Sequence, residues 1–351
     1  MSKITRRVFL GASAAIGAVA LAELTGAKHS FAQRKKGGVV NLYSSRHYNT
    51  DRRLYTDFER QTGIRVNLIE GKGDELIERI KSEGKNSPAD VLMTVNAATL
   101  WQAQQDGLLI PVNSRILRER IPAYLRDPGN HWFGFSKRAR VIMYNKSKVS
   151  PSELSTYEDL ANPKWKGRIV MRSSTNIYNQ SLVANMIARI GRERTERWVR
   201  GLVANFARPP EGNDSAQIEA VAAGEADVTI ANTYYLVRYA NDPNKREVYE
   251  RVGVFFPDQQ GAGVHINISG GGVLKNAPNK ENAIRFLEYL VSPSAQDYFA
   301  RGNNEYPVVK GVKLEPVLAQ WGTFKEDPTG VSKHGPYLAE AIRIMDRAGW
   351  K

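Results

Sequence analysis

The chain of 351 residues contains no cysteine. Disulfides, thiolate metal sites, iron–sulfur clusters and cysteine nucleophiles are thereby excluded, as is a lipid anchor on an N-terminal cysteine. The common catalytic signatures are missing as well. There is no G-x-S-x-G, H-E-x-x-H or Walker A loop, and Gly71-Lys72-Gly73 and Gly261-Ala262-Gly263 lack the third glycine of a G-x-G-x-x-G. Histidine is sparse: beyond His29 near the N-terminus, His47, His131, His265 and His334 are too scattered to build a zinc site from histidine alone. Any bound metal must rely on nitrogen and oxygen ligands.

What is present begins with an export signal. Thr5-Arg6-Arg7-Val8-Phe9-Leu10 carries a twin arginine, residues 8–22 are uncharged, and Ser30-Phe31-Ala32 offers a small-x-small cleavage site. The uncharged stretch is short and rich in Gly and Ala, whereas a membrane span needs about 20 strongly apolar residues. Residues 1–32 are therefore expected to be a twin-arginine signal peptide cleaved after Ala32, with the mature protein in the periplasm. Lys+Arg outnumber Asp+Glu by 50 to 36, a net charge of +14, of which the signal removes three and leaves +11. An exported protein rarely meets nucleic acid, and the excess is poorly focused. Arg189, Arg192, Arg194, Arg197 and Arg200 are interrupted by Glu193 and Glu196 at helical spacing, as on a solvated face.

The mature chain, 42% hydrophobic over the whole sequence, can fill two cores. Val39-Val40-Asn41-Leu42-Tyr43, residues 66–69 and residues 90–95 read as strands, separated by helices through Leu54, Tyr55 and Phe58 and through Leu76, Ile77 and Ile80. Residues 168–171 and 227–231 repeat the pattern, with helices near 179–190, 192–205, 215–223 and 233–241. This alternation predicts α/β units with a mostly parallel sheet. Two long extended runs, 135–144 and 263–269, the second bounded by Gly270-Gly271-Gly272, flank the second unit and suggest either a chain that crosses out and back through a hinge or two ordinary strands in one sheet.

Tyrosines gather where such folds bind ligands, at the carboxyl ends of strands. Arg46-His47-Tyr48-Asn49 follows the first strand, Tyr178 follows the 168–171 strand, and Asn232-Thr233-Tyr234-Tyr235 follows the 227–231 strand, with Asn232 or Thr233 placed to cap the next helix. Neighbouring residues in mid-helix diverge by about 100°, but at a helix start Tyr234 and Tyr235 can converge. A phenol, with a pKa near 10, binds metal only after losing its proton, so a strongly charged hard cation such as ferric ion is the natural partner.

The opening Leu42-Tyr43-Ser44-Ser45-Arg46-His47-Tyr48, the Ile218-Glu219-Ala220-Val221-Ala222-Ala223-Gly224-Glu225-Ala226-Asp227 stretch and the Asn232-Thr233-Tyr234-Tyr235 turn together resemble the periplasmic iron(III)-binding proteins of ABC transporters, most of all the cyanobacterial branch. The resemblance covers nearly the whole mature chain. It implies a two-lobed periplasmic binding protein fold of type II, each lobe a sheet flanked by helices with the ligand cleft between them. It also carries over His47, Tyr48, Tyr178, Tyr234 and Tyr235 as metal residues. Four phenolates against a trivalent cation leave one negative charge, which Arg138 or Arg238 is placed to offset. The expected lobes are 37–137 with 264–308 and 138–263 with 309–351. The expected function is capture of Fe3+, with Fe2+ left open, and delivery to an inner-membrane ABC permease by a monomer that binds no nucleic acid and catalyses nothing. Two alternatives stand beside it: a carrier of another solute such as an anion, and an exported iron enzyme.

Overall fold

The computed structural model describes residues 37–46, 48 and 51–351; the expected signal peptide and His47 lie outside the described residues. Eight strands run in chain order as β1 (Val39–Ser44), β2 (Arg65–Glu70), β3 (Val91–Thr94), β4 (Phe133–Asn145), β5 (Val228–Asn232), β6 (Val252–Phe255), β7 (Ile266–Val273) and β8 (Tyr306–Pro307). The helix Asp51–Thr62 between β1 and β2 shows why the first unit forms. It buries Leu54, Tyr55 and Phe58 on one face, and Phe58 meets the rings of Phe286 and Tyr289 at 5.1 and 5.2 Å. The helix stops where Gly63 takes φ 71° and returns its N–H to Glu59 O at 2.7 Å, a left-handed end that glycine adopts without strain. Full burial of Phe58 is worth about 2–3 kcal/mol.

The strand order is β2-β1-β3-β7-β4-β5, with β6 and β8 also on β4. Only the β2-β1-β3 edge is parallel; every pair made by β7 or β4 is antiparallel, so the sheet is mixed and not mostly parallel. The reason lies in the two long extended runs, which enter the sheet as chain crossings and not as βαβ repeats. The first of them, β4, changes partners along its length. Its first half, up to Ala139, pairs with β7, and the half from Arg140 pairs with β5 and β6. The protein is thus two-lobed, with one strand common to both groups of strands.

Two expected elements differ. Residues 168–171 form no full strand: Ile169 makes isolated parallel bridges to Phe206 and Val228, and Val170 donates to Val228 O at 3.1 Å. This stretch is clamped between two neighbours over too short a span to build a ladder. The three glycines do not bound β7 but lie inside it. A Cβ at Gly270 would sit 2.4 Å from Phe133 O and one at Gly272 2.3 Å from His131 O, so only bare backbone fits between β3 and β4. The C-terminal helix His334–Arg347, which the sequence reading had not placed, packs on the helices Ile177–Ile190 and Ala97–Gln105, and its Gly335 lies so close to Trp101 that a Cβ would be 2.3 Å from the ring.

Candidate metal centre

Tyr48 lies beyond the carboxyl end of β1. Tyr178 is the second residue of the helix Ile177–Ile190, whose N-cap Asn176 accepts the Tyr178 N–H through its side chain at 3.0 Å. Tyr234 and Tyr235 fall in the first turn of the helix Thr233–Asn241, directly after β5. Asn232 occupies the N-cap position of that helix, yet its side chain caps nothing. It is engaged by the site instead, donating to Tyr234 Oη at 3.3 Å and accepting from Arg140 Nη1 at 3.2 Å.

The fold brings the four tyrosines together. Tyr234 Oη donates to Tyr178 Oη at 3.4 Å, the Tyr48 and Tyr234 rings meet edge to face at 6.3 Å, and the Tyr234 and Tyr235 rings lie 4.4 Å apart at 34°. Tyr48, Tyr178 and Tyr234 are buried and Tyr235 is half-buried. Two helices start at this point, so the positive ends of two dipoles stand beside groups that become anionic on binding a cation.

Arginines surround the phenols. Arg138 lies 5.5 Å from the Tyr178 ring centre, and exposed Arg238 lies 5.6, 5.0 and 5.3 Å from those of Tyr48, Tyr234 and Tyr235. Three further guanidiniums escaped the sequence reading: Arg46 is 4.7 Å from Tyr48, while Arg140 and Arg172 are 6.0 and 5.8 Å from Tyr178. Arg140 was within reach of sequence reasoning, because it stands two residues from Arg138 on one strand and so shares its face. Asp214, at the start of the helix Asp214–Ala223, joins Arg140 at 3.0 Å and Arg172 at 3.3 Å, and no local pattern announces such a contact.

Burial pushes the phenols of Tyr48, Tyr234 and Tyr235 above their ordinary value. Glu305 and Tyr178 add to the effect at Tyr48, Tyr178 and Tyr48 at Tyr234, and Tyr178 and Asp214 at Tyr235. Arg46 and Arg138 oppose the rise at Tyr48, as Arg138 does at Tyr234 and Arg172 at Tyr235. The phenols of Tyr48, Tyr234 and Tyr235 therefore keep their protons until a cation of high charge displaces them. Among the described residues no cluster of three or more His, Asp or Glu side chains could hold a metal ion, which leaves the tyrosines as the candidate oxygen ligands. A separate cavity of about 220 Å³, lined by Ile80, Lys81, Ala89, Leu274 and Lys275 among others, opens at the amino-terminal end of β3. Its Lys81 is already paired with Glu78 and Asp106, so it offers no convergent polar set.

Residues 53–326 match the family described as bacterial extracellular solute-binding protein. The chain is 60% identical to iron uptake protein A1 of Synechocystis over 314 residues, 89% of this chain and 87% of that one. It is 52% identical to iron uptake protein A2 of the same organism over 100% of this chain and 99% of that one. Among solved structures it is similar to the Trichodesmium protein IdiA, or FutA, in complex with iron and citrate, at 64% identity and a TM-score of 0.87, covering 90% of this chain and 100% of that one. The chain belongs to the bacterial extracellular solute-binding proteins.

Proposed function

We propose that the protein is a periplasmic carrier that binds ferric iron in the cleft between its lobes, on the phenolates of Tyr48, Tyr178, Tyr234 and Tyr235, and delivers it to an ABC permease for iron uptake. The observation that carries this reading is the meeting of four phenols, three of them held neutral by burial, at the starts of two helices. Such a set rejects weakly charged cations, because each phenolate must be paid for with a proton, and it suits a hard trivalent ion. With four protein oxygens engaged, little room is left for a reacting substrate, which favours carriage over catalysis. His47 is retained as a fifth candidate from the sequence. Export through the twin-arginine pathway is inferred from Arg6-Arg7 and the Ser30-Phe31-Ala32 site.

The lobes are taken as 37–137 with 264–308 and 138–263 with 309–351. What supports that division is the change of partner along β4 and the return of the chain through β7. Tyr48 then belongs to one lobe and the other three tyrosines to the second, so iron favours closure by its differential affinity for the closed form.

The test is optical titration of the apo protein with ferric citrate. Tyrosinate bound to ferric ion absorbs visible light, and Tyr178→Phe with Tyr235→Phe should fade the band and weaken binding while circular dichroism is unchanged. A double variant of unaltered iron affinity would remove the assignment. The arginine ring favours one second reading, an anion carrier, which would saturate without colour.

A further inference from the structure

Arg46, next but one to Tyr48, is wholly buried and has both edges of its guanidinium occupied. Asp51 takes Nε at 2.7 Å and Nη2 at 3.2 Å, and Glu305 takes Nη1 and Nη2 at 3.4 Å each. The guanidinium lies 4.7 Å from the ring centre of Tyr48 and 5.1 Å from that of Phe299. A planar group fixed at its edges and packed against two rings cannot swing, so the ring of Tyr48 rests on a rigid cationic plate.

Glu305 is the anchor of that plate, and it comes from 259 residues further along the chain. It follows the helix Pro293–Gly302, where Asn304 adopts φ 59°, a left-handed turn that asparagine tolerates, and the Glu305 N–H closes on Phe299 O at 3.1 Å. The turn sends the carboxylate inward, where it is fully buried. There it accepts from Ser136 Oγ of β4 at 2.8 Å and from Ser269 Oγ of β7 at 3.4 Å, and Arg138 Nη1 stands 3.9 Å away. One carboxylate thus joins both crossing strands to the loop that carries Tyr48. Arg46, Arg138, Asp51 and Glu305 form a buried group without net charge, in which loss of one anion leaves a guanidinium uncompensated.

We propose that Glu305 is a positioning residue for Tyr48: acting through Arg46, it fixes where the phenol stands and makes that loop move as one body with the two crossing strands. The assignment rests on the tyrosinate–iron reading above. Ordering of the Tyr48 phenolate by iron is then felt at the crossing strands through its ring's contact with Arg46 and the hydrogen bonds from Arg46 to Glu305 and from Glu305 to the two serines, with no displacement of the sheet needed to transmit it.

The experiment is ferric citrate titration, followed by visible absorbance, of the wild type, Glu305→Gln, Tyr48→Phe and the double variant. Glu305→Gln keeps the shape and one carbonyl acceptor, offers the second serine an amide donor that its hydroxyl oxygen can accept from, and removes the charge that holds Arg46. It should weaken iron about tenfold and shift the tyrosinate band, yet change affinity by no more than about twofold in the Tyr48→Phe background. Ser269→Ala, which removes one donor to Glu305 and leaves the ion pair, should give a smaller loss with the same dependence on Tyr48. Equal losses with and without the Tyr48 phenol, or no loss at all, would overturn the proposal, because a merely structural carboxylate acts alike in both backgrounds. A wild type that binds iron without colour would remove the tyrosinate reading itself, and this inference with it.

Discussion

Two histidines far from the tyrosines in sequence should set the acid limit of the folded protein. His265, just before β7, and His334, at the start of the C-terminal helix, are buried with ring centres 4.9 Å apart. Burial pushes His334 down from 6.5 to about 3, with Arg138 acting in the same direction. His265 is lowered as well, by burial first and then by His334, Arg140, Arg138 and Arg189. Both imidazoles are neutral in the folded state, whereas the unfolded chain takes up protons below its pKa of about 6.5. The unfolded state therefore binds more protons between pH 6.5 and 3, and stability falls as pH falls through that window. At pH 4.5 the unfolded His334 has gained two pH units of protonation free energy, about 3 kcal/mol, and His265 adds to the loss. Carboxylates titrate in part of the same range, so the measurement is a difference. Urea unfolding of the apo wild type and His334→Asn at pH 7 and pH 4.5 should show the wild type losing about 3 kcal/mol more than the variant. Losses that agree within about 0.5 kcal/mol would mean that His334 titrates normally, and the reasoning from burial would be wrong.

Iron release should also follow acid: because Tyr48, Tyr234 and Tyr235 hold their protons above the ordinary value, affinity falls as pH drops through the whole neutral range, and a pH-independent affinity under a competing chelator would exclude tyrosinate ligation. Arg138→Ala should move the pH of half-release towards neutral without abolishing colour at high pH, and superimposable absorbance titrations would separate Arg138 from the site. Gly272→Ala should cost about 3 kcal/mol or more in urea unfolding, since its Cβ would lie 2.3 Å from the backbone oxygen of His131; a loss under about 1 kcal/mol would show that the chain there can yield. Small-angle scattering should find the iron-loaded protein more compact than the apo form, and identical curves at confirmed loading would place the whole site on one rigid body.

Local periodicity made much of the first lobe legible. Leu54, Tyr55 and Phe58 announce their helix, and the run up to Tyr43 announces β1, because burial on one face leaves a repeating mark in the chain. The tandem Tyr234-Tyr235 was legible for a different reason: taken alone such a pair is more often core than ligand, but it shares its place after a strand with Tyr48 and Tyr178 and matches the turn of the family the chain resembles. What stayed hidden was non-local. Glu305 looks like any surface glutamate until the turn at Asn304 sends it under Arg46, and His334 gives no sign that its ring will meet His265. The glycines of β7 misled for a physical cause as well. Glycine commonly ends strands, and only the crowding of β3 and β4 on either side explains why it fills the middle of this one.

The sharing of β4 has a mechanical meaning. Hydrogen bonds bind the strand to β7 up to Ala139 and to β5 from Arg140 onward, so the change of partner falls within two residues of the proposed lobe boundary, and rotation of one proposed lobe against the other would concentrate as torsion in that short stretch. Arg138 sits on the β7 side of the partner change and Arg140 on the β5 side, and both guanidiniums stand near Tyr178. In the proposed carrier, bending at this stretch would change the distance between two positive charges and one phenol, much as the pitch of a screw converts turning into travel. Such a carrier would need no separate sensor of its own closure, since the electrostatic grip on the ligand would itself be a function of the bend.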